Sequence, residues 1–346
     1  MIDVKEEAGY FLLNKGGVVM KGLELSERYY ETYGKPMLEA RFPELLPRIA
    51  VGLVGQGSEC FGYDDDISMD HDYGPAFCLW LTAEDYERYG REVQAAYDSL
   101  PKDFLGVPGR IVSAQGGGRV GVLEIHAFYR QFIGVEQPPR SMMRWLHLPD
   151  AQLACATNGK VFSDSLGEFS AIRSAIAVYP EDVRLKKMAA RLAIMAQSGQ
   201  YNYGRSMRRG DIVAAELALR EFVQAGISFV YLYNRRYAPY YKWLYRGMLD
   251  LPLLAGEVAG LFRQLMTTGT QEAAWSEEGT VGFNPYVNLR DTKVQLIEQI
   301  AASVIVALKS EGLSDIEADF LEPHAWELMK RISDPTLRRC HVMEGA

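Results

Sequence analysis

The sequence is poor in cysteine. Its four stand at positions 60, 78, 155 and 340, and no two share a paired spacing. That excludes a cysteine-rich zinc module and leaves no basis for a disulfide framework; reduced thiols in a cytoplasmic protein are the expectation. Long apolar runs are missing too. The longest, ISFVYLY and IAASVIVAL, fall well short of the ~20 residues a membrane span needs, so no membrane partner is expected. The opening MIDVKEEAGYF is acidic where a secretory signal would be basic and then apolar. There is no basic excess: 37 Lys and Arg face 45 Asp and Glu, a net charge of -8. This balance argues against broad nucleic-acid binding and is compatible with a cationic or metal-bound substrate. Internal repeats and low-complexity segments are absent.

What is present is an ordinary globular composition, 48% hydrophobic and 24% charged over 346 residues, enough for two domains or one large one. The first 150 residues mix signals. LELSERYYETYGKPMLEARF has helical spacing up to Pro43, and RIAVGLVG reads as a short buried strand. SMDHDYGPAFCLWL reads as extended. TAEDYERYGREVQAAYDSL reads as an amphipathic helix with Thr82 at its N-cap. RVGVLEIHAFYRQF reads as a strand from its aromatic and β-branched content. Beyond about Leu148 helical patterns dominate: PDAQLACATNG closed by Gly159, YPEDVRLKKMAARLAIMAQSG, DIVAAELALREFVQAGISFVYLYN and TKVQLIEQIAASVIVALKSEG. GTVGFNPYVNLRD reads as a surface loop. The expected fold is α+β: a mixed-sheet domain over 1–150 and a helical bundle over 151–346.

The chemistry concentrates in GQGSECFGYDDDISMDHDYGP, residues 55–75. A strand running through glycines into a helix start suits phosphate, because the helix presents free N–H groups and glycine lets the backbone come close. The dinucleotide fingerprint fails, because its third small residue would fall on Cys60; the Walker pattern is absent. A better fit is Gly57-Ser58 followed by Asp70-x-Asp72. On a strand, Asp70 and Asp72 share a face. Two carboxylates with oxygen-only ligands suit magnesium rather than zinc, with remaining ligands supplied by substrate phosphates. Asp64, Asp65 and Asp66 read as solvated turn carboxylates.

Gly57-Ser58 with Asp70-x-Asp72 resembles the signature of the DNA polymerase beta-like nucleotidyltransferase superfamily, which includes antibiotic nucleotidyltransferases and protein-AMPylating antitoxins. The strings GLVGQGSECFGYDDDISMDHDYGP, ATNGKVFSDSLGEF, QSGQYNYGR and YAPYYKWLYR resemble more closely an uncharacterised bacterial family within it, a domain of unknown function, over about residues 20–255. The resemblance implies a nucleotidyltransferase-type sheet domain and a two-metal phosphoryl-transfer centre. Asp70 and Asp72 would hold Mg2+, and a third carboxylate would come from a later strand. Glu124 in GVLEIHAF is the candidate for that third place. Gly57 and Ser58 would hold the nucleotide.

In the helical region Tyr201, Arg205 and Arg208 share a face, and YLYNRRYAPYYKWLYRGMLDLP is rich in aromatics and cations. Antibiotic-modifying relatives close their cleft with such a region, so Lys242 is the candidate to reach the triphosphate. The implied function is magnesium-dependent transfer of a nucleotide, AMP from ATP or another nucleoside triphosphate, onto a hydroxyl of a small molecule or protein, with release of pyrophosphate. The alternative is a catalytically silent nucleotide-sensing or partner-binding protein. A Rossmann-type oxidoreductase would need repeated strand–helix–strand units, which are not seen.

Overall fold

The stretch FCLWL at 77–81 has no polar side chain, and it runs through the middle of the sheet, buried on both faces. In the computed structural model, which describes residues 20–69, 72–111, 117–275 and 287–346, four short strands form one mixed sheet. They are β1 (Ala50–Leu53), β2 (Cys78–Leu81), β3 (Gly121–Glu124) and β4 (Lys160–Asp164), in the order β3-β2-β1-β4. β1 pairs antiparallel with β2 and with β4, and β2 pairs parallel with β3.

Side chains alternate across a strand, so β2 serves two cores. Phe77, Leu79 and Leu81 pack with Leu25, Tyr29, Val51 and Val93 on one face. Trp80 points to the other, stacked on Phe169 with ring centroids 4.0 Å apart and edge-on to Phe128. The Ala83–Asp98 helix begins where expected: the Thr82 hydroxyl accepts the Asp85 N–H at 3.2 Å.

The contacts divide the described chain into two units, residues 1–138 with 152–177, and residues 139–151 with 178–346. The first carries the sheet. The second is helical, built on the Glu181–Met195 helix, which packs against the helices Ile212–Tyr233 and Leu321–Arg331. The protein is therefore α+β, a mixed-sheet unit and a helical unit. Among the described residues, no helix is long and apolar enough to cross a membrane.

Four sequence readings are corrected. RVGVLEIHAFYRQF is a strand only as far as Glu124; the Ile125–Ile133 helix follows at once, because the Glu124 side chain caps it. Asp72 lies ahead of β2, with φ of 54°, and not in a strand. Asp64 is buried rather than solvated, because its Oδ2 accepts the Gly22 N–H at 2.8 Å. The end of the expected surface loop is also buried: Asp291 accepts from the Tyr203 hydroxyl and the Trp275 indole, each at 2.8 Å, while most of that loop lies outside the described residues.

Candidate functional site

β1 ends in a turn that only glycine can make. Gly55 and Gly57 have φ of 129° and 124°, a region closed to side chains with a Cβ. Asn158 holds this turn from both sides: its Oδ1 accepts the Gly55 N–H at 2.9 Å, and its Nδ2 donates to the Gly55 carbonyl at 2.8 Å. Next to it the Gly159 N–H donates to the Cys60 carbonyl at 2.8 Å. A Cβ on Gly159 would stand 2.0 Å from the Leu53 carbonyl, so the two chain segments meet at backbone distance. Ser58 then opens the short Ser58–Phe61 helix, and its hydroxyl has no hydrogen-bond partner among the described residues.

Below this turn lies a set of buried charges. Glu59, 3% exposed at its side chain, sits 2.8 Å from the Arg110 guanidinium, itself 7% exposed. Burial pushes the Glu59 carboxyl up; Arg110 pulls it back only in part, and the nearby Asp64 and Asp72 carboxylates push it further up. Asp64 is fixed by the Gly22 N–H, with Lys21 donating to its carbonyl. Asp72 gives its N–H to the Ile111 carbonyl at 2.8 Å, and its Oδ2 lies 3.2 Å from Arg119 Nη1. Repulsion among the carboxylates is thus met by two arginines. The exposed Asp65 keeps its turn role and accepts from Ser68 N and Oγ.

The strand register decides which expected residues meet. Gly121 stands beside Cys78 in the parallel pair, and Gly52 stands beside Cys78 in the antiparallel one. The glycine turn after β1 and the segment before β2 therefore share one end of the sheet. Gly57, Ser58 and Asp72 all belong to that end. Glu124 stands beside Leu81, at the other end, three residues or roughly 10 Å along the strand. There its Oε1 accepts the His126 N–H at 2.7 Å and its Oε2 the Ala127 N–H at 2.5 Å. Asp70 lies outside the described residues. Among those described, no three His, Cys, Asp or Glu side chains are placed to hold one metal ion. The Asp72 carboxylate has the oxygen chemistry magnesium prefers, and a cation there would compete with Arg119.

Lys242 belongs to the helical unit, where it is exposed and its Nζ lies 4.9 Å from the centre of the Trp243 ring. Arg205 lies over the Tyr201 ring at 4.7 Å, as their helical spacing implies. Nucleophilic thiol chemistry has no support: burial pushes the Cys78 thiol up to about 12 and the Cys155 thiol up to about 11. Three residues that shape this site, Asn158, Arg110 and Arg119, escaped sequence reading. Arg110 and Arg119 come from non-periodic loop, where no pattern marks a buried cation. Asn158-Gly159 carried a turn signal, but nothing in it pointed to a partner 103 residues away.

A family model described as Domain of unknown function (DUF4037) matches residues 145–244. No curated protein matches. Among solved structures, the chain is similar to a nucleotidyltransferase-like protein from Exiguobacterium sibiricum 255-15, at 13% identity, over 89% of this chain and 81% of that one, with a TM-score of 0.32. A likeness that loose equates no residue of one chain with a residue of the other.

Proposed function

We propose that the sheet unit binds a nucleoside triphosphate at the turn after β1 and transfers its nucleotide to a hydroxyl acceptor. The observation that carries this reading is the strand–Gly55–x–Gly57–Ser58–helix turn, with a hydroxyl unengaged among the described residues, set over carboxylates that include Asp72. Gly55 and Gly57 leave room for phosphate oxygens near the backbone, and the Ser58 hydroxyl can donate to one of them. Asp70 and Asp72 would hold magnesium, which when bound supplies charge neutralisation to the triphosphate. In the reaction, the acceptor oxygen attacks the α-phosphorus, the bond to the bridging oxygen breaks, and pyrophosphate leaves. The acceptor proton passes to a carboxylate or to solvent. ATP as donor, with AMP transferred, is the expected case.

A second reading, a nucleotide-binding protein without transfer, is favoured by two observations. Arg119 already neutralises Asp72, and Glu124 spends both oxygens on a helix cap. Incubation of the protein with each labelled nucleoside triphosphate and magnesium, with and without cell extract, separates the two. Label moved to protein or extract supports transfer, and Asp72→Asn should lower it at least about a hundredfold. Saturable nucleotide binding with no label moved leaves the second reading. Neither binding nor transfer removes both.

A further inference from the structure

The helical unit contains a pocket of about 440 Å3, within the roughly 300–1,000 Å3 of small-molecule sites. Every lining residue except Gly345 and Ala346 falls inside the segment matched by the DUF4037 model. Two cations stand in its wall one turn apart on the Glu181–Met195 helix: Lys187 and Arg191, with side chains 4% and 14% exposed. One carboxylate, Asp150, answers both. It lies 3.3 Å from Lys187 Nζ and 3.4 Å from Arg191 Nη2, and it also accepts from the Tyr179 hydroxyl.

These contacts are long, and they leave donors over. The other hydrogen bond of Lys187 goes to the Gly345 carbonyl at 3.2 Å. A guanidinium carries several N–H donors; among the described residues Arg191 makes the single 3.4 Å contact, and its buried Nε has no partner. The Glu344 carboxylate lies 3.5 Å from the His147 imidazole, and Lys186 points its ammonium at the Val342 and Glu344 carbonyls. Lys187 and Arg191 share the one Asp150 carboxylate in a mostly buried setting, where a polar group left without a partner is costly. Burial holds the Lys187 ammonium below the usual lysine range, and Asp150 offsets this only in part. At the rim, Tyr241 is 87% exposed, with Tyr240 edge-on to it at 6.1 Å. An exposed ring beside a cationic floor offers a flat apolar face.

We propose that this pocket binds a small organic phosphate that carries an aromatic ring, with the phosphate on Lys187 and Arg191 and the ring on Tyr241. A tetrahedral dianion can accept from two separate side chains at once and so supplies acceptors to the donors that Asp150 leaves over. The proposal goes beyond nucleotide transfer, whose turn and carboxylates belong to the sheet unit.

Calorimetric titration of the full chain tests it, with AMP, ribose 5-phosphate and adenosine as probes. AMP should saturate, ribose 5-phosphate should bind more weakly, and adenosine should give no saturable heat. Arg191→Gln should weaken AMP binding at least about tenfold. Tyr241→Ala, at an exposed position, should leave the thermal midpoint unchanged and bring AMP to the affinity of ribose 5-phosphate. The proposal is overturned if neither phosphate saturates up to about 1 mM, or if AMP binds equally to wild type, Arg191→Gln and Tyr241→Ala. It is also overturned if Asp72→Asn abolishes AMP binding while Arg191→Gln spares it, an outcome that leaves the transfer reading standing.

Discussion

A buried carboxylate beside a buried guanidinium is costly to assemble and costlier to break, because either partner alone is a charge without water. Glu59 and Arg110 form such a pair. Arg110→Ala should therefore destabilise the sheet unit by about 3–5 kcal/mol, read from urea unfolding. The double variant Glu59→Gln with Arg110→Met should recover most of that loss. If the single and double variants unfold alike, the pair is not what holds this region. Glu181 behaves differently. Hydrogen bonds from Arg184 and then Arg235, working against burial, lower its carboxyl to about 2. A folded value below the unfolded one gives stability that is complete above about 4.5 and lost as the pH falls toward 2. Glu181 itself is half-exposed, so the effect is small. The thermal midpoint of Glu181→Gln should fall less steeply than that of wild type between those limits, and parallel curves would count against the assignment. At this scale the glycines and Ser58 were legible, because positive φ and helix starts select residue types. Arg110, Arg119 and Asn158 were not, because a buried ion pair or an amide clamp is defined by what folds against it.

At the scale of elements, periodicity explains both the success and the miss. The Ala83–Asp98 helix was legible from its cap and its apolar stripe. The Ile125–Ile133 helix was misread as strand because aromatic and β-branched residues serve either form. Its buried residues, Ile125, Phe128, Tyr129, Phe132 and Ile133, nevertheless repeat with helical spacing. β4 was not assigned at all; KVFSD is short and half-exposed. Glu124 fits this scale better than that of catalysis. Glu124→Ala should cost about 1 kcal/mol of stability as a lost cap, and Glu124→Asp should retain most of it. A large loss of transfer in a Glu124→Asp protein of wild-type stability would instead restore its metal role. Gly159→Ala should be far more damaging than a cap, because its φ is 65° and the added methyl would meet the Leu53 carbonyl. The expected result is a thermal midpoint lowered well beyond that of Glu124→Ala.

For the whole molecule, the sequence made the change from mixed to helical patterns visible, but not the path between the units. The chain passes from the sheet unit to the helical unit at 138/139, returns at 151/152, and leaves again at 177/178. Such a path has no local signature, since each segment is pattern-consistent by itself. A fragment 1–150 would lack β4, which pairs with β1, and Asn158, which holds Gly55. It should show no cooperative unfolding transition by circular dichroism, whereas 1–177 retains every segment of the sheet unit. Equal, cooperative melting of the two fragments would mean that β4 is dispensable.

The Asn158 clamp on Gly55 also imposes an order in time. The two residues are 103 positions apart. At roughly 5–20 residues per second of synthesis, about 5–20 seconds pass between their emergence from the ribosome. During that interval the turn after β1 exists as nascent chain without its clamp, and the free edge of β1 is open to other strands. The glycine turn after β1 is thus a late product of biosynthesis, and slowing translation between β1 and β4 should lengthen the period in which this chain needs a chaperone.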